Sequence, residues 1–102
     1  MKRIVIIGTE GRLGAALARE YASEFDVIGF NHAQLDLGKP DQMRTALGAL
    51  QFDALINTAA QTNVDRCETH QEEAFALNGE APRVLAEICA GTQARFIHIS
   101  TD

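Results

Sequence analysis

Residues 3 to 14, RIVIIGTEGRLG, constrain this chain more than any other stretch. Ile4 to Ile7 run without polar interruption, the pattern of a short strand covered on both faces, as in a parallel sheet sandwiched between helices. Directly after it, Gly8, Gly11 and Gly14 fall at GxxGxxG spacing, and Leu13, Leu17 and Tyr21 then recur at i, i+4, a helical stripe. A strand that feeds a helix through such a turn can hold a dinucleotide pyrophosphate. Gly8 permits the sharp turn, Gly11 lets backbone N–H groups approach the phosphates, and Gly14 lets helix and strand pack closely. A glycine triplet alone is weak evidence; its position between a buried strand and an amphipathic helix is what gives it weight.

The same alternation continues to the last residue. DVIGF (26–30) reads as a second strand, and Pro40 suits the first position of a helix running to about Leu50, because its missing N–H would be unpaired there anyway. FDALIN (52–57) is the third strand. Asp65 followed by Glu68 resembles a capping box opening a helix to about Leu77. Pro82 lies in the first turn of the next helix, which should end near Ala90 at Gly91. ARFIHIS (94–100) is the fourth strand. Strands separated by helices are parallel with right-handed crossovers. The expected fold is therefore α/β, the N-terminal part of a Rossmann-type doubly wound parallel sheet with four strands in the order 3-2-1-4. With no linker, repeat or low-complexity segment, residues 1–102 read as one domain, apparently truncated after strand four.

Composition excludes several functions. A net charge of −5, with Lys2 and Arg3 the only adjacent basic pair, gives no footprint for nucleic acid. No apolar run is long enough for a membrane span, and Gly8 and Glu10 interrupt the N-terminal run before a signal sequence could form. Cys67 and Cys89 lack CxxC spacing or paired histidines and read as buried thiols, so neither a disulfide nor a metal site is expected. The cytoplasm is the expected compartment.

Other positions complete a cofactor groove. In NTAAQT (57–62) the small residues Thr58, Ala59 and Ala60 let the chain pass close beneath an adenosine. Asn31, just past strand two, stands where an Asp or Glu would bind the ribose 2′-OH of NAD. Asn can bond that hydroxyl without repelling a 2′-phosphate. Arg12 favours the phosphate and Glu10 opposes it, so NADH and NADPH both stay open. His98, Ser100 and Asp102 imitate a hydrolase trio, but alternate residues of one strand share a face without relay geometry, and no G-x-S-x-G elbow or P-loop is present. His32 and His70 read as solvated, and Glu68, Glu72 and Glu73 as a wet helix face.

Taken in order, GTEGRLG, LDL (35–37), NTAAQTNVDRCE (57–68), FALN (75–78) and HISTD (98–102) resemble the dTDP-4-dehydrorhamnose reductase family across the whole chain. That family belongs to the extended short-chain dehydrogenases/reductases and includes a non-catalytic relative, the regulatory β subunit of methionine adenosyltransferase. The resemblance implies that Gly11, Arg12 and Leu13 meet the pyrophosphate through backbone amides and that Asn31 takes the ribose position, a departure from the usual Asp. It places Asp36 and Leu37 along the adenine, and Ala60, Gln61 and Thr62 in the cofactor groove, Gln61 replacing a frequent Tyr or His. Thr101 matches the catalytic hydroxyl that helps polarise the 4-keto group of a nucleotide-sugar substrate, and Asp102 would neighbour that substrate. Hydride would come from NADH or NADPH.

The family's proton donor, a Tyr in a Tyr-x-x-x-Lys pair, has no match: the only Tyr, Tyr21, is followed four residues later by Phe25. Negligible turnover by these 102 residues alone is therefore expected. Strand four should present an open edge, so self-association is expected too. The preferred reading is the cofactor part of a nucleotide-sugar reductase in dTDP-rhamnose biosynthesis. An NAD(P)-binding regulatory module without chemistry, and a nucleotide-sugar epimerase or dehydratase, are the alternatives.

Overall fold

The computed structural model describes residues 1–59 and 80–99. Its elements alternate: β1 (Arg3–Ile7), α1 (Arg12–Tyr21), β2 (Asp26–Phe30), α2 (Pro40–Gly48), β3 (Ala54–Asn57), α3 (Ala81–Thr92) and β4 (Arg95–His98). The expected helix from Asp65 to Leu77, with Cys67, lies outside the described residues.

All the pairings are parallel, and the strand order is β2-β1-β3-β4. The doubly wound parallel sheet is as expected, but the order 3-2-1-4 is not. The third strand lies beside β1, on the side opposite β2. The reason is burial: Leu55, Ile56 and Asn57 are buried, whereas β2 begins at exposed Asp26 and carries exposed Gly29. A strand covered on both faces belongs inside, and the half-exposed one becomes the edge.

Successive residues of the inner strands serve opposite layers. Val5, Ile7 and Leu55 pack with Met43 and Leu47 of α2, Val84, Leu85 and Cys89 of α3, and Leu35 and Leu37 of the loop after β2. Ile4, Ile6 and Ile56 face the other way, where Leu17, Ala18 and Tyr21 of α1 cover them. Tyr21 meets Phe25 edge to face, with ring centroids 5.6 Å apart. Burial also pushes the Cys89 thiol pKa up to about 11.

Polar groups fix both ends of β1. At its start, Nε of Arg3 donates to Oδ2 of Asp26 at 2.9 Å, and the Arg3 amide donates to Oδ2 of Asp53 at 2.8 Å. At its end, the Ile7 carbonyl accepts the Thr58 amide at 3.0 Å and the Thr58 hydroxyl at 2.8 Å.

The helix boundaries follow local chemistry. Pro40 opens α2 as expected. Pro82 sits in the first turn of α3, but that helix does not stop at Gly91: it reaches Thr92 and is closed by Gln93 in the left-handed region, φ 60°. The Ala94 amide then donates to the Cys89 carbonyl at 2.9 Å, turning the chain into β4. Strand β4 is the second edge of the described sheet, with Ile97 41% exposed.

Candidate functional site

The site forms where β1, β2 and β3 end together. Gly8 leaves β1 with φ 95°, a conformation L side chains rarely adopt, and a Cβ there would lie 2.6 Å from Oγ1 of Thr58. Its amide donates to the Phe30 carbonyl at 2.9 Å, and the Thr9 amide reaches the same oxygen at 3.3 Å. The turn after β1 is thereby tied to the end of β2.

The three glycines have separate roles. At Gly14 a Cβ would fall 2.1 Å from the Gly8 carbonyl oxygen, so helix and turn touch backbone to backbone. Gly11 is exposed, and among the described residues a Cβ there would meet only the Gly8 oxygen, at 3.5 Å. No described neighbour thus requires glycine at position 11, and on that side the space before it is open for a ligand. From Gly11, α1 begins with no side-chain cap and no acidic residue in its first turn. Among the described residues no side chain caps the positive end of its dipole. An open cradle beneath an uncapped helix N-terminus fits a pyrophosphate. Arg12 and Leu13, both exposed, flank it.

The end of β3 closes the other side. Asn57 is fully buried; its Oδ1 accepts the Ala59 amide at 3.1 Å, and its Nδ2 lies 3.2 Å from Nδ1 of His98. Since a backbone amide can only donate, the Asn57 oxygen is fixed on Ala59. The amide nitrogen is then the Asn57 group that faces Nδ1 of His98. The ends of β3 and β4 are joined through this bond.

The structure thus brings Gly8, Gly11, Arg12, Leu13, Gly14 and Ala59 together, with Asn31 next to Phe30. The side chain of Leu37 is buried in the core, leaving its backbone to line any groove, and Oδ1 of Asp36 accepts the Gly38 amide at 2.8 Å. Ala60, Gln61, Thr62, Thr101 and Asp102 lie outside the described residues.

Three contributors escaped sequence reasoning. Asn57 was a legible signal, a polar residue closing the apolar run ALIN. Gly29 is explained by Thr9, whose Cγ2 would lie 2.7 Å from a Cβ there. Gln34 exchanges hydrogen bonds with Asn31: the Asn31 amide donates to Oε1 of Gln34 at 2.8 Å, and the Gln34 amide donates to Oδ1 of Asn31 at 2.9 Å. Their three-residue spacing is that of a reciprocal cap.

A parallel sheet wound on both faces, its central strand opening through glycines into an uncapped helix, defines a Rossmann-type domain. The chain belongs to the RmlD substrate binding domain family, whose model matches residues 1–102. It is 40% identical over 102 residues to a probable dTDP-4,6-dihydroxy-2-methyloxan-3-one 4-ketoreductase of Streptomyces antibioticus, covering 98% of this chain and 35% of that one. It is 37% identical to the dTDP-4-dehydrorhamnose reductase of Mycobacterium tuberculosis, covering 99% and 33%. The crystal structure of the Bacillus anthracis dTDP-4-dehydrorhamnose reductase in complex with NADP superimposes with a TM-score of 0.89 at 28% identity, over 97% of this chain and 36% of that one. The chain spans about a third of the length of the curated relatives it matches. Among the described residues, no helix is long and apolar enough to cross a membrane.

Proposed function

We propose that residues 1–102 form the cofactor-binding domain of an NAD(P)H-dependent reductase acting on the 4-keto group of a nucleotide-sugar, of the dTDP-4-dehydrorhamnose reductase kind. One observation carries this reading: Gly11 is open to solvent before an uncapped α1 while Gly8 and Gly14 are held as glycine by backbone contacts. The NADP complex of the Bacillus anthracis relative supports the choice of ligand. Bound NADH or NADPH supplies the hydride. The chain's own part is to orient it: the first-turn amides of α1 face the pyrophosphate, Asn31 the ribose, and Ala59 the groove wall. Thr101 and Asp102, by family resemblance, meet the sugar, and the Tyr-x-x-x-Lys pair must come from elsewhere.

The test is NAD(P)H oxidation by the full-length protein carrying this chain, with a dTDP-4-keto sugar. Turnover is expected, and is expected to be negligible for the 102-residue chain alone. Cofactor binding without turnover on any nucleotide-sugar would leave a binding module and refute the reductase.

A further inference from the structure

We infer that Thr58 is a positioning residue for the dinucleotide: its hydroxyl, set between the first and third glycines, fixes the turn that presents backbone amides to the pyrophosphate; this rests on the cofactor reading above. The Ile7 carbonyl accepts the Thr58 amide at 3.0 Å, and the Thr58 hydroxyl donates to the same oxygen at 2.8 Å. The amide alone already satisfies that carbonyl. What the second bond does is lock the side chain, and Oγ1 then lies 3.4 Å from the Gly8 oxygen as well. A Cβ on Gly8 would stand 2.6 Å from Oγ1 and one on Gly14 would stand 2.9 Å from it. One oxygen from the end of β3 therefore occupies the slot between the end of β1 and the first turn of α1.

The contacts run on from there to the amides that face the ligand. The Gly8 oxygen accepts the Gly11 amide at 3.1 Å, and the Gly11 oxygen accepts the Ala15 amide at 3.0 Å, the bond that opens α1. On the other side, the Gly8 and Thr9 amides donate to the Phe30 carbonyl of β2. The turn is thus held from β2 by its own amides and from β3 by the Thr58 hydroxyl. Thr58 is half-buried with its oxygen engaged beneath the turn, so it acts on the cofactor through Gly8 and Gly14. Charge-assisted bonds to phosphate oxygens need donors held to within about 0.5 Å. Alanine at position 58 would leave the slot empty. Valine would put a methyl at the Oγ1 position, 2.8 Å from the Ile7 oxygen and inside the carbon–oxygen contact distance of about 3.3 Å. In either case the amides lose their preset positions, and part of the binding energy goes into restoring them.

The experiment is fluorescence titration of the full-length protein with NADPH and with NADH, alongside steady-state kinetics with a dTDP-4-keto sugar and urea denaturation, for the unaltered protein, Thr58→Ala, Thr58→Val and Thr58→Ser. The alanine and valine variants are expected to raise Kd and KM for the dinucleotide by about tenfold, the scale of one charge-assisted contact. Their kcat at saturating cofactor is expected to stay within about twofold, because the lost interaction serves ground state and transition state alike. Thr58→Ser keeps the donor and is expected to recover most of the affinity. A residue that only supported the fold would shift the urea midpoint and leave the Kd of the folded molecules unchanged. The Kd ratios stand whether or not the sugar is turned over. Unchanged Kd in Thr58→Ala and Thr58→Val, a loss confined to kcat, or a serine variant as weak as the alanine one overturns the positioning role while leaving the cofactor reading intact. If Thr58→Val does not fold, the comparison of Thr58→Ser with Thr58→Ala decides alone. Failure of the unaltered protein to bind either dinucleotide overturns both.

Discussion

Replacing Gly14 by alanine tests the contact on which the site is built. Alanine is ordinarily the better residue inside a helix, by about 1 kcal/mol over glycine. At position 14, however, the new Cβ would lie 2.1 Å from the Gly8 oxygen, 2.7 Å from the Gly8 carbonyl carbon and 2.9 Å from Oγ1 of Thr58. The Gly8 carbonyl cannot step aside cheaply, since it accepts the Gly11 amide at 3.1 Å and its own residue's amide is held by Phe30. Relief requires α1 to move off the sheet by about 1 Å, a gap that forfeits a quarter to a half of each dispersion contact across it. Those contacts join Leu17, Ala18 and Tyr21 to Ile4 and Ile6. Overpacking of this sort costs about 3 kcal/mol at the upper end, and subtracting the helical gain leaves a net destabilisation of about 2 kcal/mol. Gly91→Ala is the matched control, since its Cβ meets nothing within 4 Å and α3 continues past it. That variant should gain roughly 0.5–1 kcal/mol. In urea denaturation, Gly14→Ala should lower the midpoint by about 1 M while Gly91→Ala raises it slightly. If both midpoints rise together, helix propensity decides at position 14 and the backbone contact is not what makes glycine necessary there.

Gly11→Ala separates binding from folding: with only one ordinary contact for the new methyl among the described residues, stability should change by no more than about 1 kcal/mol. NADPH affinity should fall by about tenfold, and equal affinity by titration would remove this turn from the site. Asn57→Ala strips the Ala59 amide of its acceptor and leaves a cavity, an expected loss of about 2 kcal/mol by chemical denaturation; an unchanged midpoint would show the Asn57–His98 link to be dispensable. Cys89 should resist iodoacetamide at neutral pH in peptide mapping of the native protein, because burial holds its thiol protonated. With a folded pKa raised from 9.0 to about 11, its contribution to stability is complete below pH 9 and lost as the pH rises through that interval. The isolated 102-residue chain should self-associate through the edge of β4. A clean monomer in sedimentation at about tens of micromolar would count against that.

Elements announced by two signals at once were legible in the sequence. The run RIVII and the glycines after it placed β1 and the start of α1, and Pro40 marked the first residue of α2. Strand order was not legible, because each strand's burial depends on its neighbours. FDALIN and DVIGF look alike until Asp26 and Gly29 are found at the exposed edge. The end of α3 was misplaced for a related reason. Gly91 is a natural terminator, but the chain needs two more residues to bring Ala94 back onto the Cys89 carbonyl, and Gln93 accepts the left-handed turn. At the site, Gly8, Gly11 and Gly14 were visible because their backbone roles have a fixed spacing. Asn57 and Gln34 act through hydrogen bonds to particular backbone atoms, and those partners appear only once the strand ends have been brought together.

The polar contacts at the two ends of β1 do more than close off hydrogen bonds. A strand apolar on one face announces its alignment, since sliding by one residue would turn its greasy side to water. Ile4 to Ile7 have no such side: the slipped and the correct pairings bury similar surface. Hydrophobic collapse can therefore gather this sheet without choosing its alignment. The choice falls to Arg3 between Asp26 and Asp53 at one end, and to Thr58 on the Ile7 carbonyl at the other. These contacts form only when the strands are paired in the observed register. Loosening either end should therefore broaden the set of pairings the chain samples while it folds, even where the finished protein hardly registers the loss.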